Sequence, residues 1–244
     1  MANYKMVLCY DGSRYNGWQK QGNTENTIQQ KLEMHLSQLL NENIELNGSG
    51  RTDAGVHALK QVASFRCSNG CDPEKLKHEL QTVIPSDIGI ISIEEVDPRF
   101  HARLNCKSKT YTYRLWCGDV PNVFERRYVY RIAERPNLDV MRQAALLLEG
   151  EHDFAAFCSR KMNKSSVRKI YSISITENGP DIRISYSGNG FLYNMVRILT
   201  GTLLEIGYGR MKPEDIPSVL ASLDRSEAGP TAPSQGLFLA DVQY

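Results

Sequence analysis

Ile28, Leu32, Leu36 and Leu39 or Leu40 recur at helical spacing and bury one face of a helix. Thr27-Ile28-Gln29-Gln30 ahead of them has the form of a capping box, so the helix is predicted to begin near Thr27. Before it, Tyr4 to Tyr10 reads as a β-strand that runs into a Gly/Ser/Asn loop. After it come a strand over Gln61 to Cys67 and a helix over Pro73 to Thr82 with proline at its start. An alternating strand over Ile88 to Val96 completes the set. This order, strand, helix, strand, helix, strand, predicts an α/β half.

Phe100 to Lys109 reads as a crossover to a second set of elements. Thr110 to Cys117 and Arg127 to Ile132 are predicted strands, and Leu138 to Leu148 is an amphipathic helix that Gly150 is placed to end. Arg168 to Ile175 and Asp181 to Ser187 form a predicted hairpin across Asn178-Gly179. A helix from Phe191 to about Ile206, another from Pro213 to Leu223 and a strand over Leu237 to Val242 follow. Tyr10-Asp11-Gly12 and Tyr186-Ser187-Gly188 each end a strand and enter a polar Gly/Asn loop, a short echo that suggests two related halves.

The 244 residues suffice for one large domain or two small ones, and 41% hydrophobic with 23% charged residues is ordinary globular composition. No segment approaches the run of about 20 apolar residues that spans a membrane, and Met1 to Lys5 lacks an apolar leader, so a soluble cytoplasmic protein is expected. Cys9, Cys67, Cys71, Cys106, Cys117 and Cys158 include no Cys-x-x-Cys pair, so free thiols are expected and a metal site is not. Net charge is only +1, so any nucleic-acid surface must come from the distribution of charge. Arg160, Lys161, Lys164, Arg168 and Lys169 crowd into ten residues, with Arg126, Arg127 and Arg131 as a second group. Charge runs of this kind are usually solvated loops, and the pattern alone leaves both readings open.

The run with the most chemical content is Gly50-Arg51-Thr52-Asp53-Ala54-Gly55-Val56-His57-Ala58. It sets a carboxylate in a glycine-bracketed loop, where backbone geometry holds it, with a guanidinium nearby to keep it ionised. Taken alone, the same residues describe a turn with a surface ion pair.

This run resembles the signature of the tRNA pseudouridine synthase A family. Four further segments resemble that family in the same order: Tyr10 to Gln19, Phe100-His101-Ala102-Arg103 with Thr110-Tyr111-Thr112-Tyr113, Gly190-Phe191-Leu192-Tyr193-Asn194-Met195-Val196-Arg197, and Gly236 to Leu239. The resemblance implies an α/β (α+β) chain of two ferredoxin-like or RRM-like halves, 1–104 and 105–244, with joined antiparallel sheets and a central RNA-binding cleft. The first half would carry the catalytic Asp loop and the second would complete the cleft. The implied activity is isomerisation of uridine to pseudouridine in the anticodon stem-loop of transfer RNA (positions 38–40), by a homodimer without metal or cofactor.

By the same resemblance Asp53 is the catalytic nucleophile, Arg197 its ion-pair partner, and Tyr111 the ring that stacks on the target base and aids proton transfer. Arg51 helps to take the uridine out of its stack, and the loop cations Arg160, Lys161, Lys164 and Arg168 are expected to bind substrate. Tyr111 and Tyr113 share one face of their strand by alternation, and the resemblance selects Tyr111. His57 is expected to be structural and Trp18 to be core. Two routes stay open, attack of Asp53 on C1′ or removal of the C2′ proton. Leu59-Lys60 stands where the family more often has a small residue and glycine, which keeps open a paralogue acting on another transfer RNA site or on ribosomal RNA. A non-catalytic RNA-binding module and a nucleoside hydrolase are the rivals from other classes. The hydrolase would need a second acid or base, and the Asp53 loop supplies no other carboxylate.

Overall fold

A computed structural model describes residues 1–160 and 165–244; Lys161 and Lys164 lie outside the described residues. In chain order the elements are β1 (Ala2–Tyr10), α1 (Ile28–Leu40), β2 (Asn47–Gly48), β3 (His57–Cys67), α2 (Pro73–Val83) and β4 (Ile88–Val96). There follow β5 (Ser108–Trp116), β6 (Tyr130–Arg131), α3 (Leu138–Leu148), β7 (Gly150–Asp153), β8 (Val167–Asn178) and β9 (Asp181–Gly188). The last are α4 (Met195–Gly207), α5 (Ile216–Ser222) and β10 (Leu237–Gln243). Among the described residues no helix is long and apolar enough to cross a membrane.

The chain divides into two compact units: residues 1–107 with 238–244, and residues 108–237. In the first unit the strands run in the order β4-β1-β3-β10, with β2 also on β3. The β1–β3 and β1–β4 pairs are antiparallel, whereas β10 lies parallel to β3 beside His57 and Ala58. Chain order alone would leave β10 with the second half; its parallel pairing puts it in the first. Tyr4, Met6, Leu8 and Tyr10 of β1 point into the core with Ala63 and Phe65 of β3. Ile28, Leu32 and Leu36 of α1 and Leu76 and Leu80 of α2 are buried as well. Thr27 caps α1 by accepting from the Gln30 amide, and Asp72 caps α2 through the amides of Glu74 and Lys75.

In the second unit the order is β5-β9-β8-β7, antiparallel at β5–β9, β8–β9 and β7–β8, with β6 parallel to β5. Tyr111, Tyr113 and Leu115 of β5 stand opposite Tyr186, Ile184 and Ile182 of β9, and all six are buried. α3 and α4 supply Met141, Leu148, Ile198, Leu199 and Leu203 to the same core. The two units together give the mixed α/β composition expected, but each sheet includes a parallel neighbour, so neither is purely antiparallel.

Several boundaries differ from the sequence pattern for identifiable reasons. β3 starts at His57, four residues earlier than expected, because exposed Leu59 and Lys60 interrupt its apolar signal. The strand expected over Arg127 to Ile132 contracts to two residues. The β8–β9 turn is Gly179-Pro180, since Asn178 already pairs with Asp181. The helix expected from Phe191 begins at Met195, because Asn194 takes the left-handed conformation with φ 60° and ψ 6°.

Candidate active site

The first group of site residues is built on the loop between β2 and β3. Asp53 is half-buried there, two residues after exposed Arg51 and four before the start of β3. Its neighbour Thr52 is buried and fixed at both ends of the residue. The Thr52 hydroxyl lies 2.8 Å from the Tyr10 hydroxyl, and its carbonyl accepts from the Trp18 amide at 3.0 Å. Tyr10 is buried, which pushes its pKa above the ordinary phenol value and keeps the hydroxyl neutral. The Asp53 carbonyl accepts from the Val56 amide at 3.1 Å, closing a turn whose Gly55 takes φ +77°. The Gln61 amide group donates to the Gly50 carbonyl at 3.0 Å and its oxygen accepts from the Ser49 hydroxyl at 2.7 Å.

The loop after β1 forms the backing of this turn. A Cβ on Gly12 would sit 2.0 Å from the Val56 carbonyl oxygen, and one on Gly17 2.6 Å from the Thr52 carbonyl oxygen. Gly17 also needs φ +88°, a conformation that only glycine takes readily. Trp18 is in the core, as expected. Buried His57 stacks on Phe238 with centroids 4.7 Å apart, and its Nδ1 accepts from the Gly12 amide at 3.1 Å. Asp11 Oδ1, which accepts from the Ser13 amide, lies 3.1 Å from the same nitrogen. Arg51 Nε donates to Gln19 Oε1 at 3.0 Å, and Gln19 passes the contact to Gln29 and Gln29 to buried Glu33. The guanidinium is thereby tethered to α1.

The second group lies in the other unit. Tyr111 of β5 is buried and meets Phe191 edge-on, with centroids 5.3 Å apart. Tyr113, on the same face, donates its hydroxyl to the Pro233 carbonyl at 2.6 Å. Arg197 is the third residue of α4, a position where the helix dipole disfavours a cation by about 0.3–1 kcal/mol. Two acceptors offset this: Nε donates to the Ala232 carbonyl at 2.7 Å and Nη1 to Asn194 Oδ1 at 2.8 Å. The Ala232 amide in turn donates to the Arg197 carbonyl at 3.1 Å. Segment 228–233 therefore straps α4, and it lies so close that a Cβ on Gly201 would fall 1.7 Å from the Pro230 carbonyl oxygen.

Of the loop cations, Arg160 lies over the Tyr193 ring, 4.0 Å from its centroid. Arg168 Nη1 donates to the Ser165 and Val167 carbonyls at 2.9 and 2.6 Å, and partial burial lowers its pKa. Thus Asp53 and Arg51 fall together in one unit, and Arg197, Arg160 and Arg168 in the other. Sequence reasoning missed Gly12, Gly17, Tyr10, Gln61 and Asn194. Their role depends on contacts between distant segments, and only the collinear motifs, which contain Tyr10, Gly12, Gly17 and Asn194, signalled any of them.

The sequence profile described as tRNA pseudouridine synthase matches residues 6–105 and 144–244. Among curated relatives, "tRNA pseudouridine synthase A" of Bacillus sp. (strain KSM-64) is 46% identical over 245 residues, and "tRNA pseudouridine synthase A 1" of Clostridium tetani (strain Massachusetts / E88) is 45% identical over 245 residues. "tRNA pseudouridine synthase A 2" of Bacillus cereus (strain ZK / E33L) is 44% identical over the same length. In each case 100% of both chains is covered. With matches of this extent, the chain belongs to the tRNA pseudouridine synthase family, isomerases that convert uridine to pseudouridine.

Proposed function

We propose that this protein isomerises uridine to pseudouridine in the anticodon stem-loop of transfer RNA, with Asp53 as the catalytic carboxylate. The mounting of the Asp53 loop carries the reading: buried Thr52, Tyr10 and Gln61 and the close-packed Gly12 and Gly17 fix the backbone on either side of a half-buried aspartate. A surface turn has no need of such support. The reaction breaks the N1–C1′ bond and forms a C5–C1′ bond, with C5 giving up its proton and N1 taking one up. Substrate and product contain the same atoms, so the balance calls for no co-reactant. Asp53 opens the sequence either by adding to C1′ or by taking the C2′ proton.

Arg197 is the cation assigned to Asp53; an ionised carboxylate in a closed site is costly unless a positive group accompanies it. Tyr111 stacks on the base, an interaction worth about 1–3 kcal/mol. Arg51 fills the gap left by the extruded nucleotide and holds its phosphate. Arg160, Lys161, Lys164 and Arg168 contact the RNA backbone. We further infer a cytoplasmic homodimer in which one copy acts while the other holds the body of the transfer RNA. The exposed Val120, Val123 and Phe124 support an interface between copies.

Purified protein incubated with unmodified transfer RNA transcripts, followed by mapping of pseudouridine, tests this reading. Product at anticodon-stem uridines is expected. Product confined to another transfer RNA site or to ribosomal RNA would retain the chemistry and reject the proposed target. RNA binding without product would favour the binding module and overturn the enzymatic reading.

A further inference from the structure

Asn194 stands at the junction of three features. It is one of three non-glycine residues with positive φ among the described residues, and it occupies the N-cap of α4 without making a side-chain capping bond. Its carboxamide faces elsewhere: Oδ1 accepts from Arg197 Nη1 at 2.8 Å, and Nδ2 donates to the Ser159 hydroxyl at 3.2 Å. Ser159 in turn donates its amide to the Tyr193 carbonyl at 3.3 Å, and the next residue, Arg160, stacks on the Tyr193 ring. An N-cap asparagine ordinarily gives its oxygen to the helix amides. Here that oxygen goes to the arginine, and the left-handed backbone turns the side chain away from the helix end.

The geometry points to Asn194 as a positioning residue for catalysis, which sets the plane of the Arg197 guanidinium and ties it to the start of the basic segment. This rests on the reading of Arg197 as the partner of Asp53 and extends it. A guanidinium is a planar fork whose usefulness depends on its angle as well as its charge. The Ala232 carbonyl fixes one nitrogen, and that single bond leaves rotation about its own axis. The Asn194 oxygen fixes a second nitrogen and with it the plane. Through Nδ2 the same carboxamide is sensitive to the position of Ser159, so engagement of RNA by Arg160 reaches Arg197 through two hydrogen bonds.

The test is Asn194→Gly, which keeps the left-handed backbone and removes the carboxamide. The expected result is a fall in kcat of about 10- to 100-fold, the scale set by small misplacements of catalytic groups. KM for transfer RNA should stay within about threefold, and the thermal midpoint should not fall. Asn194→Asp, which restores an acceptor oxygen, should recover part of kcat. In an Arg197→Lys background, with no planar fork to orient, Asn194→Gly should cost less than about threefold. Unchanged kcat in Asn194→Gly, or its full loss persisting beside Arg197→Lys, would overturn the inference while leaving the functional reading intact. A parent protein that makes no pseudouridine would remove both.

Discussion

Asp53 sits in a loop, with no helix or strand of its own, and at residue scale two glycines let a second loop back the turn that carries it. Gly12 and Gly17 let the loop after β1 lie against the backbone of Thr52 and Val56, closer than any Cβ permits. Gly12→Ala is therefore expected to destabilise the protein by about 3 kcal/mol, the upper part of the range for overpacking, because the obstructing atom is backbone and cannot swing away. Urea denaturation measures this, and activity should fall with it as the Asp53 turn is displaced. A loss below about 0.5 kcal/mol would show that the loop yields freely, and the account of a rigid mount would be wrong. His57, Thr52 and Gln61 are buried polar residues whose hydrogen bonds serve the same mount.

At the scale of elements, helix α4 and the strap over residues 228–233 form one device. Gly201 allows contact between them, the Thr202 hydroxyl accepts from the Gly229 amide at 2.9 Å, and Ala232 both bonds the Arg197 backbone and receives its Nε. Gly201→Ala should lift the strap, lowering the thermal midpoint and, as the Ala232 carbonyl moves away from the guanidinium, kcat. Full activity at reduced stability would separate the strap from Arg197 and contradict this reading. The strap illustrates what the sequence left hidden. Regular periodicity located α1, α2, α3, β4 and the β8–β9 hairpin, since each is decided by its own amphipathic pattern. The start of α4 was illegible because Phe191 to Tyr193 are apolar enough to extend the pattern, and only the backbone of Asn194 stops it. β7 was missed because four residues, Gly150 to Asp153, carry no alternation and pair only because β8 lies beside them. The candidate site followed the same division. Asp53, Arg51, Tyr111 and Arg197 were named from motifs that keep their order along the chain, and they stand as the proposed site residues. The glycines and buried hydroxyls around the Asp53 loop act across tens of residues, and only their place inside the same motifs marked them.

For the molecule as a whole, a net charge of +1 leaves the proposed RNA surface to rest on a few placed cations. In the proposed RNA-binding role, Arg160, stacked on Tyr193, and Arg168, held by two carbonyls, would be ordered before the ligand arrives, reducing the entropy lost on binding. Replacing both with alanine should weaken binding to single-stranded and stem-loop RNA similarly. It should also lower the slope of log K against log salt by about 1.4–1.8, at about 0.7–0.9 for each phosphate no longer neutralised. An unchanged slope would mean that these cations face solvent and that the RNA lies elsewhere. The central claim remains that Asp53 performs the chemistry in a uridine isomerase. Asp53→Asn, isosteric and without the charge, tests it most directly when pseudouridine formation on transfer RNA is followed beside RNA affinity and the thermal midpoint. The account predicts a rate reduced by at least about 10³-fold, with affinity and fold retained. Product forming at a rate near that of the parent protein would contradict it.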